Sequence, residues 1–313
     1  MGKSPLTRKH AMRVLVTGAC GFVGKHVLTE FAAHGYEVIG LDIGPPPGGL
    51  SQDCYISANI TDAALMAKVV ADLSPDACVH LAGLAFAGGE NPQNILTINL
   101  VGATNVLEAF RLAKSKARIL FISSAHVYGM KARPAPIKEE DSLNPDTFYS
   151  IAKMAADRIS LLYANTFGLD VMVARPHNHI GSGQSPQFAI ASFARQVKAI
   201  STGALPVIRV GNLDNRRDLT DVRDIARAYR LLLEKGQTGK PYNIASGREI
   251  RIGDVLEKLC VLAGVRPKIV RDETLYRPLD QNPILDTTRL HEDTGWQATI
   301  PIEKTLTDML ADL

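Results

Sequence analysis

The sequence is short of the features that mark unusual protein classes. It has a single tryptophan, 6% aromatic residues in all, and four cysteines. Cys20, Cys54, Cys78 and Cys260 are scattered without CxxC or metal-ligand spacing. That argues for reduced, mostly buried thiols in a cytoplasmic protein rather than a disulfide scaffold or a metal site. Neither charge dominates: the net charge is +3, and no long basic stripe occurs. Nucleic acid is therefore not an expected partner, while an anionic small molecule is compatible. The longest apolar stretches fall short of the roughly 20 residues a bilayer span needs, so no membrane partner is expected. The opening "MGKSPLTRKHAMR" is basic but has no apolar core of a secretory signal, and residues 1–11 are expected to form a flexible tail. There is no internal repeat and no low-complexity region.

What the chain does have is an alternation of short β-rich runs with longer amphipathic ones. "RVLVTGACG" reads as a strand, Gly24 to His34 as a helix and "EVIGLD" as a second strand. "DACVHLAG" and "ARILFISS" are later strands with a helical segment between them, from about Gln93 to Lys114. Such alternation implies βαβ units and a parallel sheet. "GPPPGGL" at 44–50 is a loop. After about Arg175 the rhythm changes. A loop-like "PHNHIGSGQSP" leads to a helix from about Phe188 to Thr202. "VRDIARAYRLLLEKG" reads as another helix, "KPYNIAS" as a short strand, and the remainder as a smaller helical lobe.

The first strand runs into Gly18, Gly21 and Gly24, written "TGACGFVG". Glycines at a strand–helix junction let the backbone approach a pyrophosphate, and the helix then offers free N–H groups to the negative charge. The spacing is GxxGxxG rather than GxGxxG, and its place after the first strand is the context the motif requires. Cys20 reads as a small residue packed in the loop, with a reactive thiol as the other reading. Asp42 closes the second strand, where a carboxylate accepts ribose hydroxyls and repels a 2′-phosphate; otherwise it is a solvated aspartate opening the next loop. The pair favours NAD(H), with NADP(H) as the alternative.

"YSIAK" sets Tyr149 and Lys153 four apart, on one face of a helix. A lysine ammonium beside a phenol lowers the phenol's pKa and lets it exchange protons near neutral pH. An ordinary exposed helix face is the bland reading. The dinucleotide loop upstream and "ISSAHVYG" at a strand end, where open α/β sheets hold ligands, weigh against it.

With "TGACGFVG", "HLAG" at 80–83, "ISSAHVYG", "YSIAK", "ARPHNHIG" and "YNIASG", the chain resembles the extended short-chain dehydrogenase/reductase family of nucleotide-sugar enzymes from Arg13 on. The resemblance implies a doubly wound Rossmann domain over 12–176 plus about 214–246. About 177–213 and 247–313 would form a smaller nucleotide-sugar lobe. It implies that Tyr149 is the acid/base, that Lys153 tunes it and holds the nicotinamide ribose, and that Ser124 hydrogen-bonds the reacting sugar oxygen. Ser123 would be a structural neighbour. Beside the glycine loop with Phe22 and Val23, it assigns Cys20, Ile43, Asn59, Ile60, Leu81, Ala82, Gly83 and Asn99 to the cofactor. The helices around 93–114 and 148–166 are expected to form a homodimer's four-helix bundle, though their apolar faces could equally pack inside a monomer.

Dehydratases of the family carry a carboxylate just after the catalytic hydroxyl. Here Ala125 and His126 stand there, which argues for hydride transfer at C4 alone. His126 with His179 could supply an epimerising pair; the blander reading is that His126 only lines the pocket. "ARPHNHIGSGQSPQFAIASFARQV" and "VGNLDNRRDLTDVRDIARAY" look very similar to reductases of GDP-4-keto-6-deoxy sugars. That similarity gives Asn178 the diphosphate and Arg217 and Arg277 the nucleotide end, with guanidinium forks suited to phosphate. The competing roles are an ion pair of Arg217 with Asp218 or Asp221, and a surface position for Arg277. His177 and Ser182 depart from the pattern beside the sugar site, leaving hexose or heptose open. A 4-epimerase and a non-catalytic cofactor-binding scaffold are the rival functions.

Overall fold

The structure, a computed structural model, describes residues 11–85, 91–129, 135–276 and 284–313. The chain runs β1 (Arg13–Thr17), α1 (Phe22–Ala33), β2 (Glu37–Asp42), β3 (Tyr55–Ser57), α2 (Ala63–Leu73), β4 (Ala77–His80), α3 (Pro92–Leu96) and α4 (Ala103–Leu112). It continues with β5 (Arg118–Ile122), α5 (Phe148–Phe167), β6 (Asp170–Pro176), β7 (His179–Ile180), α6 (Ala189–Ser201), β8 (Val207–Val210), β9 (Arg216–Asp218) and β10 (Thr220–Asp221). Then follow α7 (Val222–Lys235), β11 (Pro241–Ile244), β12 (Glu249–Arg251), α8 (Ile252–Leu262), β13 (Lys268–Arg271), α9 (Thr288–Thr294) and α10 (Ile302–Ala311).

Seven strands form one parallel sheet in the order β11-β6-β5-β4-β1-β2-β3. The order reverses between β1 and β4, so a crevice opens at their C-terminal ends, where doubly wound sheets bind ligands. Both faces are covered, which is why "RILFI" is apolar almost throughout instead of alternating. Val14 and Val16 pack with α1 and α7 on one face. Leu15 packs with α2, α4 and α5 on the other.

The segment Pro92–Leu112 is long and apolar enough by length and mean hydropathy (1.2) to pass as a membrane span. Here Ile95, Ala103, Val106, Leu107 and Phe110 are buried in the protein, and the helix lies against α2 and α5. Its axis also loosens through a wide turn at Thr97–Gly102, where the polar Asn99 is buried. Helix α9 packs toward the sheet, with Leu290 and the following Trp296 in the core cluster that α7 shares. The lobe itself centres on α6, α8 and α10. It is not purely helical, because β8 pairs with β13 and β9 with β12.

Candidate active site

The glycine loop fits the end of β1 by close approach. Gly18 has φ +74°, and a Cβ there would stand 2.7 Å from the Ala82 nitrogen. A Cβ on Gly24 would run into the Gly18 and Ala19 carbonyls. Helix α1 starts after Gly21 with no side-chain cap, so its first turn points unsatisfied N–H groups out of the loop. Asp42 braces the loop: it accepts from the Cys20 N–H at 2.9 Å and from the Ile43 N–H at 2.7 Å. The Cys20 thiol donates to the Pro45 carbonyl at 2.9 Å and so ties the loop to segment 44–50, a packing role.

Beyond the loop lies a cleft of about 660 Å³. Gly18, Gly21, Phe22, Val23, Gly24, Leu81, Gly83, Ser124, His126, Tyr149, Lys153, Asn178, His179 and Arg217 line it, as the sequence suggests. Cys20, Asp42, Ile43, Asn59, Ile60, Ala82 and Asn99 are not among its lining residues. Ile60 is buried in the core, and a Cβ on Gly102 would collide with it. Asn99 accepts from the Leu84 N–H at 2.9 Å and donates to the Leu84 carbonyl at 3.2 Å, so its side chain pins the 81–85 segment. Arg277 lies outside the described residues.

Ser124, Tyr149 and Lys153 come together at the ends of β5 and α5. A reciprocal Thr147–Ser150 capping box starts α5 and fixes Tyr149 in its first turn. Ser124 is hydrogen-bonded to the Tyr149 side chain, and its oxygen accepts from the His126 N–H at 3.2 Å. Lys153 Nζ donates to the Ile122 carbonyl at 2.7 Å. Burial pushes the Tyr149 phenol up, with the Ser124 hydrogen bond pulling the other way. This reverses the expected lowering by Lys153: removal from water outweighs the other influences on the phenol. The same burial brings Lys153 down to about 8. His80, hydrogen-bonded to Thr17 at 2.7 Å, is pushed down to about 3 by burial and the Lys153 charge, and is neutral.

The histidines lie apart in their ring contacts. His126 meets Tyr149 edge-on, with centroids 6.1 Å apart, whereas His179 stacks on Phe22 at 6.1 Å. His179 is held toward its neutral form by burial. Both acids named as candidate partners of Arg217 make other contacts. Asp218 accepts from Ser246 and from the Arg248 N–H, and Asp221 from Arg223 and Thr305.

Sequence reading missed Ser123 as a lining residue, and also Gln187, Arg209, Asn212, Asn215 and Tyr229. Arg209 sits on β8, whose outward side chain breaks an otherwise apolar "VIRV". Among the described lining residues Lys153, Arg209 and Arg217 are cationic, and none is an aspartate or glutamate.

A Rossmann crevice with an open helix N-terminus and a Ser–Tyr–Lys set defines a dinucleotide-dependent enzyme class. The model of the NAD dependent epimerase/dehydratase family matches residues 14–245, and the chain belongs to that family. It is 37% identical over 305 residues to GDP-6-deoxy-D-mannose reductase of Pseudomonas aeruginosa, over 96% of each chain. It is 27% identical over 318 residues to dTDP-glucose 4,6-dehydratase of Xanthomonas campestris, over 93% of this chain and 90% of that one. Among solved structures it is similar to RMD from Pseudomonas aeruginosa complexed with NADPH, at 36% identity and TM-score 0.84, covering 96% of this chain and 98% of that one.

Proposed function

We propose that this protein reduces the C4 ketone of a GDP-4-keto-6-deoxy sugar, of the type that converts GDP-4-keto-6-deoxy-mannose to GDP-D-rhamnose. NADH or NADPH serves as reductant. The observation that carries this reading is a cleft with Ser124, Tyr149 and Lys153 and no carboxylate among its described lining residues. Elimination of water needs an acid/base carboxylate beside the sugar; ketone reduction needs only a proton donor and an oxyanion partner. The likeness to GDP-6-deoxy-D-mannose reductase supports the same choice.

The residues fit a dinucleotide: the uncapped α1 N-terminus suits its pyrophosphate, and the glycine loop excludes side chains where the backbone must come close. Bound there, the reduced nicotinamide supplies hydride. Ser124 hydrogen-bonds the C4 oxygen and orients the ketone toward Tyr149. With its pKa raised, Tyr149 keeps its proton across the neutral range and gives it up at Oη to the far more basic alkoxide forming at C4. The Lys153 ammonium stabilises the phenolate left behind. Arg209 and Arg217 give the lobe side of the cleft the positive charge that a diphosphate requires.

We further read the protein as a cytoplasmic homodimer. Its four cysteines are free, and α4 and α5 expose Leu112, Phe148, Ile151, Leu162 and Phe167, the faces that would pair. The activity test is a substrate pair. GDP-4-keto-6-deoxy-mannose should consume reduced cofactor, while GDP-mannose should lose no water; the reverse pattern would sink the proposal.

A further inference from the structure

Two hydroxyls at the reaction-centre end of the cleft are out of place by the ordinary rules of burial. Tyr229 is fully buried and Ser123 nearly so, and among the described residues neither Tyr229 Oη nor Ser123 Oγ has a hydrogen-bond partner. Both residues line the cleft. A buried polar atom without a partner is rare in a folded protein and asks for a reason. Tyr229 stands on α7 among Val14, Val16, Ala19 and Val27, a setting where phenylalanine would bury the same ring without the orphaned oxygen. Its phenol lies close enough to Tyr149 to feel a negative charge there.

Placement identifies what these hydroxyls await. The cleft runs from the glycine loop to the Ser124–Tyr149 pair, and Tyr229 belongs to the core face that α1 and the glycine loop share. The cations suited to a sugar nucleotide, Arg209 and Arg217, come from β8 and β9 instead. The group held on the α1 side, at the end where hydride must be delivered, is the nicotinamide ring. Its one polar substituent is a carboxamide, with two N–H donors and a carbonyl acceptor. A phenol and an aliphatic hydroxyl, each able to donate or accept, complement it.

We propose that Tyr229 Oη and Ser123 Oγ bind the nicotinamide carboxamide, fixing which face of the ring turns toward the C4 ketone. The inference rests on the dinucleotide reading of the groove and not on the identity of the sugar.

The test compares a whole cofactor with one lacking the ring. Dissociation constants are measured for NADH and ADP-ribose, and for NADPH and 2′-phospho-ADP-ribose, on wild type, Tyr229→Phe and Ser123→Ala. Each variant should weaken the dinucleotide roughly five- to tenfold, the value of one neutral hydrogen bond, and leave the truncated ligand unchanged. The unliganded melting temperature of Tyr229→Phe should not fall, since no existing bond is lost. Equal weakening of both ligands, or undiminished NADH and NADPH binding in both variants, would overturn the assignment. A wild-type chain that binds neither dinucleotide would remove the groove's reading, and this inference with it.

Discussion

Lys153 Nζ donates to the Ile122 carbonyl over 2.7 Å, which ties the helix bearing Tyr149 to the strand that ends in Ser123 and Ser124. The lysine is thus a brace as well as a charge. Tyr149 remains the one proton donor the account requires. Tyr149→Phe should lower kcat by roughly 10²–10⁴-fold, the range for losing a general acid, while titration shows dinucleotide affinity within about twofold of wild type. Substantial turnover in that variant would remove the mechanism.

The pH profile follows from two buried groups. Lys153 titrates at about 8 against an ordinary 10.5, and Tyr149 lies above its ordinary value. Ketone reduction should therefore fall above pH 8, as the lysine loses its charge while the tyrosine stays protonated. Stability moves the other way. Between about pH 8 and 10.5 the unfolded lysine holds a proton that the folded one has released, so its contribution to unfolding free energy rises through that window. Melting curves of wild type and Lys153→Met should show wild type gaining on the variant from pH 8 to 10. Wild-type melting that drops in step with activity would mean unfolding rather than titration.

Behind the site, Arg175 grips Asp157 through two bonds of 2.8 and 3.0 Å, with both side chains buried. Arg175 also donates to the Tyr128 hydroxyl at 2.8 Å, linking β6 and α5 to the turn after Ser124. Breaking a buried pair strands a charge, so Asp157→Ala should cost about 3–5 kcal/mol in urea unfolding. A cost near the ~0–1 kcal/mol of a surface pair would show that the fold relaxes around the cation.

His126 is predicted to be a bystander. Its ring meets Tyr149 edge-on, and His179 is stacked on Phe22 instead. His126→Ala should keep the product configuration and lose less than about tenfold in kcat/KM, below the usual general acid–base contribution. A change of stereochemistry in that variant would restore the epimerising pair.

The choice between the two reductants is predicted to rest on Asp42. Its carboxylate, held between the Cys20 and Ile43 amides, closes β2 where a ribose 2′ substituent would lie. NADH should give a higher kcat/KM than NADPH, and Asp42→Asn should narrow the ratio. The similar Pseudomonas aeruginosa structure holds NADPH, which makes this comparison informative.

The sheet and the reacting residues were legible because their signals are local. Gly18, Gly21 and Gly24 follow a strand directly, and Tyr149 and Lys153 share one helical turn. Tyr229 could not be seen that way: on α7 it occupies an apolar-face position, and only the fold shows its hydroxyl at the cleft without a partner among the described residues. Pairing across distance was equally hidden. β8 finds β13 about sixty residues on, and α9 joins the sheet core through Leu290 and Trp296 rather than the lobe around it. The direction of the Tyr149 shift also needed burial, which spacing does not give. Asn59, Ile60 and Asn99, assigned to the cofactor by resemblance, are not among the residues lining the cleft; Ile60 packs in the core and Asn99 pins the 81–85 segment.

The most direct test supplies GDP-4-keto-6-deoxy-mannose with NADH or NADPH, follows cofactor oxidation and determines the product's C4 configuration by NMR. Cofactor consumption and a rhamno-configured product are expected. Conversion without consumption, as a 4-epimerase would show, or no reaction with either cofactor, would contradict the proposed reduction.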